Sequence, residues 1–247
     1  MSLEQDWLNQ NAVTLSKRIH ERFSKAPHDQ LHHLSQTVVG YIANAEAMNE
    51  WLRRPILWAR ALPYLAVLAA FAAMNFVLRQ SGLDFVPKTG FEAIQFIESS
   101  VNDVIFLGFM VYFLAQVEPK IRRRRAFRAF DELRATIHYI EMSQVDKDPG
   151  KVAIPIKSMP HSSKTELNPA EMNRFLSYCS GLITLVGKAS LLYAKDIDDP
   201  AIVDRSEGIE SLAAAVTHKL WAKLTILTIA VGNQEKSSTL PKVTVNQ

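Results

Sequence analysis

The sequence predicts an all-α integral membrane protein: a two-helix transmembrane hairpin with a cytoplasmic helical bundle built from both flanks. Three observations predict it. Ala61 to Leu78 is an uncharged run of 18 residues bounded by Arg60 and Arg79. A second apolar run, Val104 to Val117, follows after a polar loop. Basic residues gather outside the pair. Arg53, Arg54 and Arg60 precede it, and Lys120, Arg122, Arg123, Arg124, Arg125, Arg128 and Arg134 follow it, whereas the loop offers Arg79 and Lys88. As a helix the first run rises about 27 Å, close to the hydrocarbon thickness of a bilayer. Ten basic residues against two place both termini in the cytoplasm and the loop outside. The competing reading, a buried hairpin in a soluble domain, does not explain that asymmetry.

Composition sets the frame. A chain of 247 residues holds one or two domains. The apolar fraction is 48% and the mean hydropathy is near zero, averages that merge a hydrophobic hairpin with polar flanks. The net charge of +3 is small, so the local charge at residues 120–128 matters more. A single cysteine, Cys179, excludes an internal disulfide and fits a reducing compartment. The opening MSLEQDWLNQ has no basic region followed by an apolar run, so the first membrane helix is expected to direct insertion itself.

Residues 1–54 read as N-terminal cytoplasmic helices, interrupted near Ala26-Pro27. Leu31, Leu34, Val38, Ile42, Ala45, Met48 and Leu52 recur at three or four residues, one face of an amphipathic helix. Pro55 kinks or restarts the chain before the membrane. His20, His28, His32 and His33 fall in this region. His28 and His32 have the spacing to share a metal, but no cysteine or carboxylate pattern joins them, so solvated histidines are expected.

The hairpin occupies residues 55–119, with spans at 61–78 and 101–117 and an outer loop at 79–100. In the first span Ala66, Ala69, Ala70 and Ala73 share one side at small-xxx-small spacing, which lets another helix approach closely. The partner is either the second span or another copy, and a homo-oligomer is expected. Pro63 falls in the first turn on this reading, and Asn75 is expected to hydrogen-bond across a helix interface. Turn residues cluster at Ser81-Gly82 and Pro87 to Gly90. From Phe91 a polar stripe of Glu92, Gln95, Glu98, Ser99, Asn102 and Asp103 descends toward the membrane. It reads either as an amphipathic segment in the outer interface or as the lining of a polar vestibule. Asp84, Glu92, Glu98 and Asp103 against Lys88 leave residues 80–103 at −3, which concentrates cations if hairpins assemble.

Residues 120–145 form a basic juxtamembrane helix. Its Lys120, Arg122, Arg123, Arg124, Arg125 and Arg128, with Arg53, Arg54 and Arg60, set topology and suit anionic lipid headgroups. A nucleic-acid partner is not expected, because no recognition motif accompanies the cluster. Phe130, Leu133, Ile137 and Ile140 then form a new apolar face. Residues 146–168, with Pro149, Pro155 and Pro160, read as a linker. Residues 169–233 read as a C-terminal helical hairpin. Asn168-Pro169-Ala170-Glu171 is a cap, a first-turn proline and a capping-box glutamate, opening a helix to about Lys195. Phe175, Cys179, Leu182, Val186, Ala189 and Tyr193 lie on its apolar side, making Cys179 a packed thiol. Asp196, Asp198 and Glu207 match three calcium-loop positions, but Pro200 and Ala201 break the pattern. Asp199 instead caps the next helix, whose Val203, Ile209, Leu212, Val216, Leu220, Leu224 and Leu227 face a core. Lys219 and Lys223 interrupt that run, so a core helix is expected rather than a third span. Residues 234–247 read as a flexible tail.

The segments HYIEMSQVDKDPGK (138–151) and GIESLAAAVTHKLWAKLTIL (208–227) resemble a group of uncharacterised bacterial membrane proteins with a two-helix hairpin and helical cytoplasmic flanks. That resemblance implies a bacterial inner membrane and no particular function. In layout the chain is also similar to two-transmembrane effectors of bacterial defence systems.

Nucleotide-loop, zincin, nucleophile-elbow and cysteine-zinc motifs are all missing from the sequence, so no catalytic residue, cofactor or metal is assigned. Three function classes remain. The first is a membrane-anchored scaffold or regulator acting through self-association or a cytoplasmic protein partner. The second is an oligomeric pore gated by its cytoplasmic bundle, and the third an unrecognised enzyme.

Overall fold

The computed structural model describes residues 3–23, 29–81, 89–145, 147 and 167–239. Among these the chain is all-α, with eight helices: α1 (Leu3–Phe23), α2 (Asp29–Ala43), α3 (Ala45–Arg53), α4 (Leu57–Ser81), α5 (Gly90–Ala115), α6 (Val117–Met142), α7 (Pro169–Ala194) and α8 (Pro200–Thr239). The break near Ala26-Pro27, His28, the loop turns at Gly82 and Pro87, nearly all of the linker at 146–168 and the end of the tail lie outside the described residues. The chain divides into two compact units, residues 53–125 and residues 1–52 with 126–247.

The larger unit is organised around α7. Asn168 caps it as its sequence requires: the side chain accepts from the Glu171 N–H at 2.8 Å, and the Glu171 carboxylate accepts from the Asn168 N–H at 3.2 Å. Every residue expected on its apolar side is buried, from Phe175 to Tyr193. The helix also buries Ser180, Gly187 and Ser190, so it is enclosed on more than one side. Packing against it are α1 and α2 on one flank and α8 on another. Leu31, Val38, Ile42, Ala45 and Leu52 are buried, while Leu34 and Met48 pack partly buried at the margin. Phe130, Leu133, Ile137 and Ile140 of α6 are fully enclosed. Each fully buried aliphatic side chain contributes roughly 1.5–3 kcal/mol, which is why these faces dictate the packing.

Polar groups finish the ends. The Asn49 amide donates to the carbonyls of Tyr193 at 2.9 Å and Lys195, so α3 supplies partners for the unpaired C-terminal carbonyls of α7. Asp196 follows with φ of 59°, a left-handed position that reverses the chain. Asp199 then caps α8, accepting from the Ala201 N–H at 3.0 Å.

The smaller unit is a hairpin in which α4 packs on α5. Thr89 caps α5 through the Glu92 N–H. Ala93, Ser100, Leu107 and Leu114 are half-buried and recur every seven residues, a narrow seam along one side of α5. The α5 helix has no buried residue at all. At the open end the Ile56 N–H donates to the Glu118 carboxylate at 3.3 Å, which ties the start of α4 to the chain just past α5. The two helices are therefore antiparallel.

Several expectations are corrected. Four helical stretches, not two, are long and apolar enough to cross a membrane: Ala45–Val77, Gly90–Met142, Pro169–Ala194 and Pro200–Gly232. The last pair satisfies the same length and composition because a helix enclosed by protein needs apolar residues all round, as one in lipid does. Pro63 sits inside α4 rather than in its first turn, because that helix begins at Leu57. The Asn75 amide donates to Phe71 O at 3.0 Å within its own helix instead of across an interface. Val203 is exposed and Ile202 is buried in its place, since the α8 core face starts one residue earlier. That helix also runs to Thr239, past the expected start of the tail.

The α7–α8 crossing is tight at Gly187. A Cβ there would stand 2.9 Å from the Ala213 Cβ, whereas one at Gly208, also on α8, would meet nothing within 4 Å. The Ser190 hydroxyl donates to Gly187 O and to Ser206 O at the same crossing. Gly187→Ala is expected to destabilise the protein by roughly 1–3 kcal/mol through overpacking. Gly208→Ala is expected to stabilise it by up to about 1 kcal/mol through helix propensity. Denaturant unfolding in a fixed detergent measures both, and equal stability of the two variants would contradict the close crossing.

Candidate functional site

Among the described residues no group of three or more His, Cys, Asp or Glu side chains is arranged to hold a metal ion. The features with chemical character are a histidine pair, a buried thiol, a basic collar and the polar stripe of α5.

His20 of α1 and His32 of α2 meet across their helices, Nδ1 to Nε2 at 3.3 Å, and Gln36 reaches the same Nε2 at 3.1 Å. The His32 Nδ1 is buried without a hydrogen-bond partner. His28, whose spacing from His32 suits a shared metal but which is expected to be solvated, lies outside the described residues. The His20–His32 contact joins two helices, which no spacing within one helix could indicate. Desolvation, then the charges of His20 and His33, holds the His32 pKa below its ordinary 6.5.

Cys179 is enclosed in the core, and desolvation pushes its thiol up to about 12. A thiol that stays protonated at neutral pH is a packing group rather than a nucleophile. Tyr193, also buried, has its phenol shifted upward by desolvation and the neighbouring Tyr41, and it donates to Tyr41 O at 3.4 Å.

In the hairpin unit, the alanine side of α4 is divided. Ala66 and Ala70 are half-buried, whereas Ala69 and Ala73 are exposed. Beyond the seam both helices present large apolar side chains outward, among them Leu65, Leu68, Phe71 and Phe76 of α4 and Ile97, Val104, Phe106 and Phe109 of α5. Glu92, Gln95, Glu98, Ser99, Asn102 and Asp103 are all exposed. On a helical wheel Gln95, Glu98 and Asn102 lie roughly 135–165° from the α5 seam and point away from α4, whereas Asp103, three residues past Ser100 and four before Leu107, lies within roughly 60° of it.

The Ile56–Glu118 contact gives the register. With equal rise on both helices, Asp103 lies level with about residue 71 and Glu98 with about residue 76. The lower stripe therefore runs alongside the uncharged stretch between Arg60 and Arg79.

The basic collar surrounds the opposite end. Arg53, Arg54, Arg60, Lys120, Arg123 and Arg124 are exposed, and Arg122 and Arg125 are half-buried. Arg128, further along α6, is exposed. In the larger unit an open groove of about 560 Å³ runs between α1 and α7, lined by Trp7, Leu15, Arg18 and Lys188 among others. Sequence periodicity gave no sign of it, because it depends on how two distant helices dock.

No protein-family model, curated protein or solved structure matches the chain.

The depressed His32 pKa has a sign. A histidine harder to protonate in the folded state contributes stability that is present above its ordinary 6.5 and is lost as pH falls through the folded value. Denaturant unfolding between pH 7.5 and 5.5 should show the parent losing stability on acidification more steeply than His32→Gln. Identical pH slopes would contradict the assignment.

Proposed function

We propose that the protein is an integral membrane scaffold or regulator that crosses the membrane twice, through α4 and α5, with both termini cytoplasmic. On this reading the membrane is a bacterial inner membrane, and the flanking helices bind another copy or a cytoplasmic protein partner. One observation carries the choice of spans. The apolar window of α5 is 0% buried, whereas that of α7 is 67% buried. Side chains already enclosed by protein do not need lipid, and those of α5 have no such cover. The fourth candidate, α8, is 28% buried. It carries ion pairs along its length: Arg205 with Asp131, Glu210 with Lys188 and Lys219 with Glu141. Such charges are expensive inside a bilayer. Reporter fusions test the topology. A reporter after Gln247 should be active on the cytoplasmic side, and one inserted between Ser81 and Gly90 on the outer side. An externally active C-terminal reporter would contradict the proposal.

A second reading, an oligomeric pore, is favoured by the register of the stripe. Asp103 lies at the depth of Phe71, about 12 Å inward from the level of Arg79. Asp103 is exposed, and a carboxylate at that depth is stable when it borders water or another copy. The exposed Ala69 and Ala73 offer small surfaces for a copy to approach. Several hairpins turned inward on this stripe would line a cation-preferring path. In liposomes Asp103→Asn is expected to reduce cation flux by roughly tenfold and to erase the preference for cations over anions. No flux from the parent, with the hairpin inserted, would leave the scaffold reading.

A further inference from the structure

The hairpin's open end gathers charge of one sign within roughly 16 Å of its length. The Ile56–Glu118 contact brings residues 53–60 beside residues 116–125. Those two segments hold eight cations, Arg53, Arg54, Arg60, Lys120 and Arg122 to Arg125, and a single carboxylate, Glu118. That carboxylate accepts the Ile56 N–H. Lys120 and Arg124 are both exposed at i and i+4, the spacing at which like charges on a helix repel. The Nε of Arg122 is buried with no hydrogen-bond partner. Lys120, Arg122 and Arg124 thus bring like charges together along the first turns of α6, a surface suited to an anion.

Its position indicates which anion. Immediately inside the cations Tyr64 and Tyr112 stand exposed, within about two residues of the same level, and Trp58 stands exposed among the cations. Amphipathic aromatics at one level are the mark of a membrane–water interface. Beyond them the outward surface of both helices is apolar. The order along the hairpin is cation, aromatic, hydrocarbon-like side chain, which matches phosphate, glycerol and acyl chain.

We propose that this collar is a recognition surface for anionic phospholipid headgroups, with Lys120, Arg122 and Arg124 binding phosphate and Arg60 completing the ring from α4. The proposal rests on the hairpin being inserted in a membrane. Headgroup binding offsets the repulsion along the first turns of α6, so the anionic lipid content of the membrane sets how firmly that helix is held at the surface. A nucleic acid fits less well, because its phosphates cannot follow a ring whose inner side is committed to acyl chains.

The test uses purified full-length protein in vesicles of phosphatidylcholine, alone or mixed with phosphatidylglycerol. Quenching of tryptophan fluorescence by acyl-brominated phosphatidylglycerol, against brominated phosphatidylcholine, reads the headgroup preference beside the protein. The parent should prefer phosphatidylglycerol, and high salt should weaken that preference. Lys120→Gln with Arg124→Gln should reduce it by roughly two- to fivefold for each cation removed. Resistance to alkaline carbonate extraction is measured on the same samples. Loss of preference with extraction resistance kept supports the collar. Equal quenching by both lipids in an extraction-resistant parent overturns it, as does an unchanged preference in the double variant. A parent removed by carbonate overturns the membrane hairpin itself, a distinct failure. Retention of a fluorescent oligonucleotide at physiological salt, without lipid preference, also overturns the assignment.

Discussion

The outward apolar surface of α4 and α5 is the constraint on which the rest depends. A helix in a water-soluble protein turns its apolar stripe inward and its charges outward. In α5 the order is different: one narrow seam faces α4, large aliphatic and aromatic side chains occupy much of the remaining circumference, and none of its residues is buried. Exposing about twenty such side chains to water would cost far more than a domain's net stability of roughly 5–15 kcal/mol. Lipid removes that cost without requiring any further protein contact. The uncharged length of α4, the interfacial aromatics and the cation collar then have consistent places in the proposed membrane hairpin.

The larger unit solves the opposite problem. Here α7 is nearly as apolar as a membrane span, but α1, α2 and α8 enclose it. That enclosure explains the small residues at the crossing with α8, where Gly187 and Ala213 let two backbones approach. Within the unit the Ser190 hydroxyl finds Ser206 O and the Asn49 amide finds the end of α7. Hydropathy alone cannot separate the two units, because it measures what a helix lacks rather than what covers it. Burial separates them.

Much of the local structure was legible in the sequence, because it rests on contacts within a few residues. The Asn168–Glu171 capping box, the Asp199 cap and the apolar faces at Leu31 to Leu52 and at Phe130 to Ile140 are set by spacing. What depends on docking was not legible. Asn75 satisfies itself on Phe71 O, a choice fixed by which neighbours come within reach. Pro63 was misplaced because the helix starts before the apolar run does. The His20–His32 contact joins residues twelve apart on different helices, and the groove between α1 and α7 joins residues more than 160 apart. Of the candidate functional residues, the sequence identified the stripe and the collar as charge patterns. The Ile56–Glu118 contact was needed to bring them into register with the apolar stretch of α4.

The account turns on which helices touch lipid. Photolabelling with a diazirine carried on a phospholipid acyl chain, followed by peptide mapping, tests this most directly. Two proposed spans require adducts within residues 57–81 and 90–115, concentrated at outward positions such as Leu68, Phe71, Phe106 and Phe109, and little labelling across residues 169–194. Labelling of residues 169–194 and 200–232 as strong as that of the hairpin would mean four spans and would contradict the account.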